Sequence, residues 1–408
     1  MTKLNAVSLL LLLGFAACKP SAQNEQKQAR NSEWAMQQPY VVMVSIDGFR
    51  HDYAEKFGAE NILAIKESGA WTSGMIPSYP SKTFPNHYTL VTGMYPGMHG
   101  ITSNEFYSVS KKAHYGVRKK NTVTDGSWYG GTPLWVLAEQ NSMLAASYFW
   151  LGSEAEIKGV RASYVHAYDE DVPNGDRVDE VINWLKLPDE ERPHMIHLYF
   201  SDVDTQGHGF GPEAEETKEA VLSIDEQIGR LRAGIKESGL PVTLVVTADH
   251  GMTPISKGLE LNVDWRGAEV VFISTHIMVY HKDDSVIDAI INDLQDVDGL
   301  VLYKDENFPE EYHFNNADRS GDLLIQIQPP AIFSKMDSIS GGTHGYDPYE
   351  YPDMRTIFYI EGPTIKSNYE IAPFENVHAF PLIAKILGLP IPDDIDGKLD
   401  VLKGVVVE

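Results

Sequence analysis

The feature that most constrains this chain is a nearly unbroken apolar run, Tyr40-Val41-Val42-Met43-Val44-Ser45-Ile46, which stops abruptly at Asp47-Gly48. A strand with one wet face alternates apolar and polar residues. A run without alternation belongs to a strand covered on both faces, as in a parallel sheet flanked by helices. Similar runs recur at 195–200, 242–247 and 355–360, and between them residues 220–233 set Val221, Ile224, Ile228 and Leu231 on one helical face. Strands alternating with helices predict an α/β fold with a central, mostly parallel sheet, whose ligands gather beyond the carboxyl ends of its strands. With 408 residues, 43% of them hydrophobic, the chain can bury one large domain, or one domain plus a sizeable insertion.

Three of these runs end in acidic or His-bearing sequence. The first ends at Asp47, the second at 201–208 with Asp204 and His208, the third in Ala248-Asp249-His250-Gly251-Met252. Each has a plainer reading. An Asp after a strand is commonly a turn or cap residue, and Asp204 and His208 make an ordinary surface pair if Gly207 weakens the helix there. Asp249-His250 is harder to dismiss, because adjacent charged and imidazole groups at a buried strand end need partners. His344 lies among glycines at 341–345, suited to close backbone approach or merely to a loop. With fourteen histidines in the chain, most are structural. Taken together, three Asp, three His and one Thr hydroxyl make two sets of metal ligands, and mixed imidazole and carboxylate ligation suits Zn²⁺.

The hydroxyl is Thr83, in the stretch 78–88. Pro85 fits the first turn of a helix, where its missing N–H costs nothing, and 88–92 continues that helix to Gly93. Thr83 is therefore expected just ahead of a helix N-terminus, which favours an anion. There it is either a cap or a nucleophile aimed at a phosphate-like group.

In these segments the chain resembles the nucleotide pyrophosphatase/phosphodiesterase family, a branch of the alkaline phosphatase superfamily. The likeness runs from Pro39 to about Leu402. It rests on 80–88, on Thr92-Gly93-Met94-Tyr95-Pro96 with His99-Gly100, on Asn104 twenty-one residues after Thr83, and on 131–135, Phe149-Trp150, 191–194, 247–252 and 342–345. The resemblance implies an alkaline phosphatase-like sandwich with a smaller inserted subdomain. It also implies two Zn²⁺ ions, one on Asp204, His208 and His344, the other on Asp47, Asp249 and His250, with Thr83 completing the second set as nucleophile. By the same likeness Asn104 and the backbone N–H of Phe84 bind a phosphoryl oxygen, and Phe84 and Tyr168 sandwich a nucleotide base. Tyr168 is matched by its spacing to Pro173, while the spacing upstream departs slightly from the family's. Ordinary packing is the alternative for Phe84, Tyr168 and Trp150.

The implied activity is hydrolysis of phosphodiester or pyrophosphate bonds in small nucleotides. Alternatives are a phospholipase C-like or phosphomonoesterase member of the superfamily, and a non-catalytic envelope binding protein. A net charge of −25 argues against nucleic acid as a bulk partner. Residues 1–18 read as a leader: Lys3 supplies positive charge, 9–15 an apolar core, and Cys18, the single cysteine, the end of a sequence resembling a bacterial lipobox. Export to a periplasm or cell envelope with a lipid anchor at Cys18 is expected, with ordinary leader cleavage as the alternative. Residues 19–38 are polar and read as a flexible tether, 39–402 as the catalytic domain, and about 259–333 as its smaller subdomain.

Overall fold

The computed structural model describes residues 29–407; the expected leader, Cys18 and the first part of the tether lie outside them. Eight strands form the main sheet: β1 (Tyr40–Ile46), β2 (Ala70–Met75), β3 (Ala145–Tyr148), β4 (Tyr164–His166), β5 (Met195–Phe200), β6 (Val242–Thr247), β7 (Thr356–Glu361) and β8 (Tyr369–Glu370). Their order across the sheet is β8-β2-β7-β6-β1-β5-β3-β4. All seven residues of β1 are buried. Val41 and Met43 face one core while Val42, Val44 and Ile46 face the other. Two cores on one strand explain the missing alternation. The second core is closed by helix 215–238 through Val221, Ile224, Ile228 and Leu231.

The central register decides where function can sit. β1 pairs in parallel with β5 (Ile46 opposite Phe200) and with β6 (Ser45 opposite Thr247). Three neighbouring strands therefore release Asp47, the 201–208 segment and Asp249-His250 at one edge. The sheet is mostly parallel, as expected, and the run at 355–360 is its exception: β7 lies antiparallel to both β6 and β2. No crossover helix precedes it. The chain arrives from the loop that carries His344, already at the carboxyl edge, and must run back down the sheet.

Two boundaries also shift. The expected tether is folded from Asn31 onward. The Asn31 amide donates to the carbonyls of Asp189 and Arg192 at 2.8 and 2.7 Å, its oxygen accepts from Leu144 N at 2.8 Å, and Ala35 is fully buried. A polar composition concealed a side chain that satisfies three backbone groups. At the other end Leu402 and Val405 are buried, so packing continues past Leu402. Within 259–333, strands Glu269–Phe272, His276–Tyr280, Leu300–Lys304 and Leu323–Ile327 form a separate antiparallel sheet. Helix Asp284–Leu294 covers it with Ile287, Ile290 and Leu294. Among the described residues no helix is long and apolar enough to cross a membrane.

Candidate active site

The helix that carries the hydroxyl, α1, spans Thr83–Thr92 and ends at Gly93 in the left-handed conformation (φ 66°). Thr83 is its first residue and Lys82 its N-cap, so Thr83 does not cap the helix. The preceding turn is held by Asn86, whose Nδ2 lies 2.9–3.2 Å from the carbonyls of Ser78, Pro80 and Lys82 while its Oδ1 accepts from Ser78 N at 2.7 Å. Thr83 Oγ1 is thereby left free to lie 3.3 Å from His250 Nε2.

His250 stands between two acids. Its Nε2 is 3.0 Å from Asp249 Oδ2 and 3.4 Å from Asp47 Oδ1. Helix α2 (Asp202–Phe210) brings Asp204 and His208 one turn apart, with His208 Nε2 3.4 Å and His344 Nε2 3.7 Å from Asp204 Oδ1. The His250 and His344 rings stack at 3.5 Å. Donor atoms of Asp47, Asp249 and His250 lie within 4.8 Å of one another, and so do those of Asp204, His250 and His344. His250 thus belongs geometrically to both groups, and His208 approaches through Asp204.

The helix over 202–210 forms in spite of Gly207. A Cβ there would lie 3.0 Å from Met252 Cε, and one on Gly341 would lie 2.2 Å from the His208 carbonyl oxygen. The glycines let the His344 loop press onto α2. That loop is tied to the turn before Thr83: Ser81 Oγ donates to the Tyr346 carbonyl at 2.7 Å, and His344 Nδ1 lies 2.8 Å from the Ser81 carbonyl. Lys82 donates to the His344 carbonyl at 2.5 Å, and burial lowers its ammonium to about 7.

This donor set fits a metal ion. His208, His250 and His344 each place Nδ1 2.8–3.0 Å from a backbone carbonyl, of Gly342, Gly251 and Ser81 respectively. A carbonyl only accepts, so Nδ1 carries a proton and Nε2, turned toward the carboxylates, is the nitrogen offered to a metal ion, the usual arrangement around ligating histidines. Buried oxygens Asp47 Oδ1, Asp204 Oδ1 and Asp249 Oδ2 accept no well-aligned hydrogen bond. Lone pairs that face one another in a dry site repel unless a cation, a proton or a metal ion, sits between them. The same tension shows in the acidities. Burial, then Asp249 and Asp204, pushes Asp47 well above the usual carboxylate range. Burial, with His250 beside it, drives His344 well below an ordinary imidazole.

On the other side of Thr83 opens a cleft of about 410 Å³, lined among others by Thr83, Phe84, Arg118, Lys120, Trp150 and Tyr168. Phe84 N donates to Asn104 Oδ1 at 2.9 Å, so the two groups expected to meet a phosphoryl oxygen are adjacent. Tyr168 is 45% exposed at the rim. Trp150 is buried against His87 and His197 and contributes only an edge to the cleft. Several neighbours were not anticipated. Tyr199 OH donates to Asp47 Oδ2 at 2.6 Å, Ser45 and His87 lie behind Asp249, and Arg118, Lys120 and Glu154 line the cleft. The one available signal was Ser45, a hydroxyl in an otherwise apolar strand just before Asp47.

Comparison with known proteins gives a consistent result. The family model for type I phosphodiesterase / nucleotide pyrophosphatase matches residues 41–347. A venom phosphodiesterase of Macrovipera lebetinus is 34% identical over 384 residues, covering 88% of this chain and 44% of the relative. An uncharacterized pyrophosphatase/phosphodiesterase of Schizosaccharomyces pombe is 30% identical over 384 residues, covering 86% and 78%. The chain thus spans less than half the length of the venom enzyme. Among solved structures, murine ectonucleotide pyrophosphatase / phosphodiesterase 5 superposes with a TM-score of 0.83 at 26% identity, over 90% of this chain and 100% of that one. An inactive variant of the same murine protein has been solved in complex with AMP.

Proposed function

The chain belongs to the type I phosphodiesterase / nucleotide pyrophosphatase family. From that premise we propose that it is a two-zinc hydrolase that cleaves phosphodiester or pyrophosphate bonds of small nucleotides through a phosphothreonine on Thr83. The observation that carries this reading is the approach of Thr83 Oγ1 to His250 Nε2 at 3.3 Å, where imidazoles and carboxylates converge beside an aromatic cleft. One zinc ion is assigned to Asp204, His208 and His344, the other to Asp47, Asp249 and His250 with Thr83. When bound, the ions supply Lewis acidity that lowers the proton affinity of the Thr83 hydroxyl and offsets phosphoryl charge.

Thr83 Oγ1 attacks phosphorus, the bond to the leaving alcohol or nucleotide breaks, and water later splits the phosphothreonine. Charge on the non-bridging oxygens is met by the Phe84 N–H, at the start of α1, and by the Asn104 carboxamide next to it. Phe84 and Tyr168 are assigned to the base, and the AMP bound by the murine neighbour supports a nucleotide there. Arg118 and Lys120 give the cleft local positive charge on a chain of net charge −25. Export is in keeping with relatives named as venom and ectonucleotide enzymes, and a lipid anchor at Cys18 rests on the lipobox-like leader alone.

The test is kcat/KM of the zinc-loaded protein on a thymidine monophosphate p-nitrophenyl diester, p-nitrophenyl phosphate and p-nitrophenylphosphorylcholine. A lead for the nucleotide diester that is lost on chelation is expected. A lead for the choline ester keeps the chemistry and overturns the specificity. Silence on all three with zinc bound overturns the enzyme reading in favour of a binding protein.

A further inference from the structure

The point at which the chain joins the fold bears on how the protein meets a membrane. Asn31 is held by the loops that enter β3 and β5. Its oxygen accepts from Leu144 N, its amide donates to the carbonyls of Asp189 and Arg192, and its backbone N–H donates to the Glu190 carbonyl at 2.9 Å. Ser32 N donates to the Ser142 carbonyl at the same distance, 2.9 Å. Leu144 and His194 are the last residues before those two strands, so the chain enters at the amino edge of the main sheet. The cleft lies at the other edge. Phe149, Trp150 and Leu151 follow the carboxyl end of β3, Tyr168 follows β4, and Tyr199 stands at the end of β5. β3 pairs in parallel with both β4 and β5, so one direction serves all three.

We propose that the face around Asn31 and Trp34 rests on a lipid bilayer while the catalytic cleft is turned to the aqueous side. The esters it takes are then water-borne and are not lipids of its own membrane. The proposal rests on the acyl anchor at Cys18 put forward above. Twelve residues, 19–30, separate Cys18 from Asn31. Even drawn taut, that span reaches about 45 Å. A compact domain the size of residues 29–407 is roughly 54 Å across as a sphere, and half its girth is about 85 Å. For the cleft to face the bilayer, the linking segment would have to run from the opposite edge round that surface. It is too short by roughly half. With the amino edge toward the bilayer no stretching is needed.

The surface at the entry suits such a contact. Trp34 lies against Gly388 and is 40% exposed, although large apolar side chains in this protein are mostly buried. Indoles of this kind favour the boundary between water and lipid, where one end of the ring is wet and the other apolar. Arg30 next to it exposes 61% of its side chain, but Glu33 and Asp189 are exposed on the same face. The charge is therefore mixed, and adhesion comes from the acyl anchor and the indole, not from attraction to anionic lipid.

Full-length protein reconstituted in phosphatidylcholine vesicles gives the test. Cys18 is the single cysteine, and acylation would block its sulfur, so one introduced cysteine carries a fluorescent label alone. Lys186→Cys lies at the end of helix Asn174–Leu185, toward the amino edge, and Glu170→Cys lies just past β4 on the catalytic edge; both positions are exposed. Energy transfer to a headgroup-labelled lipid should be at least about threefold more efficient from position 186 than from position 170, given the breadth of the domain. Equal transfer, or more from 170, overturns the proposal, and so does release of phosphocholine from the host vesicle. Brominated lipid should quench the wild-type tryptophan fluorescence and lose most of that effect in Trp34→Phe. Unchanged quenching in that variant overturns the contact at Trp34. If mass spectrometry finds no acyl group on Cys18, the anchor and this proposal fall together while the phosphodiesterase reading stands. That reading fails separately, if the protein turns over none of the three esters.

Discussion

On one side of Thr83 lie carboxylates and imidazoles gathered at the ends of adjacent strands, with Asp47, Asp249, His250 and His344 buried and Asp204 and His208 toward the rim. On the other lies a cleft formed by loops, with Arg118, Lys120 and Tyr168 reaching solvent. In the first region the groups are held by specific partners: His250 by Gly251 and Asp249, Asp47 by Tyr199, His208 by Gly342 and His344 by Ser81. Phe84 and Tyr168 are less constrained; Tyr168 packs its edge on Phe149 and Tyr199 and is otherwise open. Chemistry that stabilises charge needs donors fixed in advance, because reorganisation would consume the gain. Recognition of a flat base tolerates adjustment, because stacking depends on area and weakly on angle.

If that division is right, substitutions on the first side act on kcat and those on the second on KM. Thr83→Ala is the largest break: turnover should disappear while folding and most of the zinc content remain. A variant that keeps near-normal turnover removes Thr83 as nucleophile. Asn104→Ala comes next, with kcat reduced by about 10²–10³-fold, as for loss of one oxyanion donor. An unchanged kcat would place Asn104 among the residues that only hold Phe84.

Phe84→Ala and Tyr168→Ala should each raise KM for nucleotide esters by roughly tenfold, with little change for p-nitrophenyl esters that carry no base. Equal effects on both substrates would mean that these rings pack and do not recognise. The smallest effect belongs to Arg118→Gln combined with Lys120→Gln. Exposed charges are screened, so kcat/KM should fall roughly two- to threefold at low salt and recover as ionic strength rises. A loss that persists at high salt would mean direct contact with the nucleotide.

The two regions also differed in how far the residues announced them. Asp47, Asp204, Asp249 and His250 were legible because each follows an apolar run, and the end of a buried strand is a local signal. His344 was legible only through the family likeness of its glycine-rich segment; its distance in sequence hides the Ser81 contacts that bring it back. His87 and Ser45 were in view as letters, but a polar group inside a buried strand or helix says nothing until its partner is known. The stretch 31–38 misled for the converse reason, since the polar side chain of Asn31 bonds to the protein's own backbone.

By itself the sequence determined that a sheet buried on both faces would gather acids, imidazoles and a helix-initiating threonine at one edge, because burial and strand endings depend on local pattern. Only the tertiary structure decided that β7 runs antiparallel, that His250 faces both acid groups, and that Ser45 and His87 lie buried beside Thr83 and Asp249. Strand direction, shared ligands and the neighbours of a buried ring depend on which distant groups meet, and no local pattern encodes a meeting between residues hundreds of positions apart.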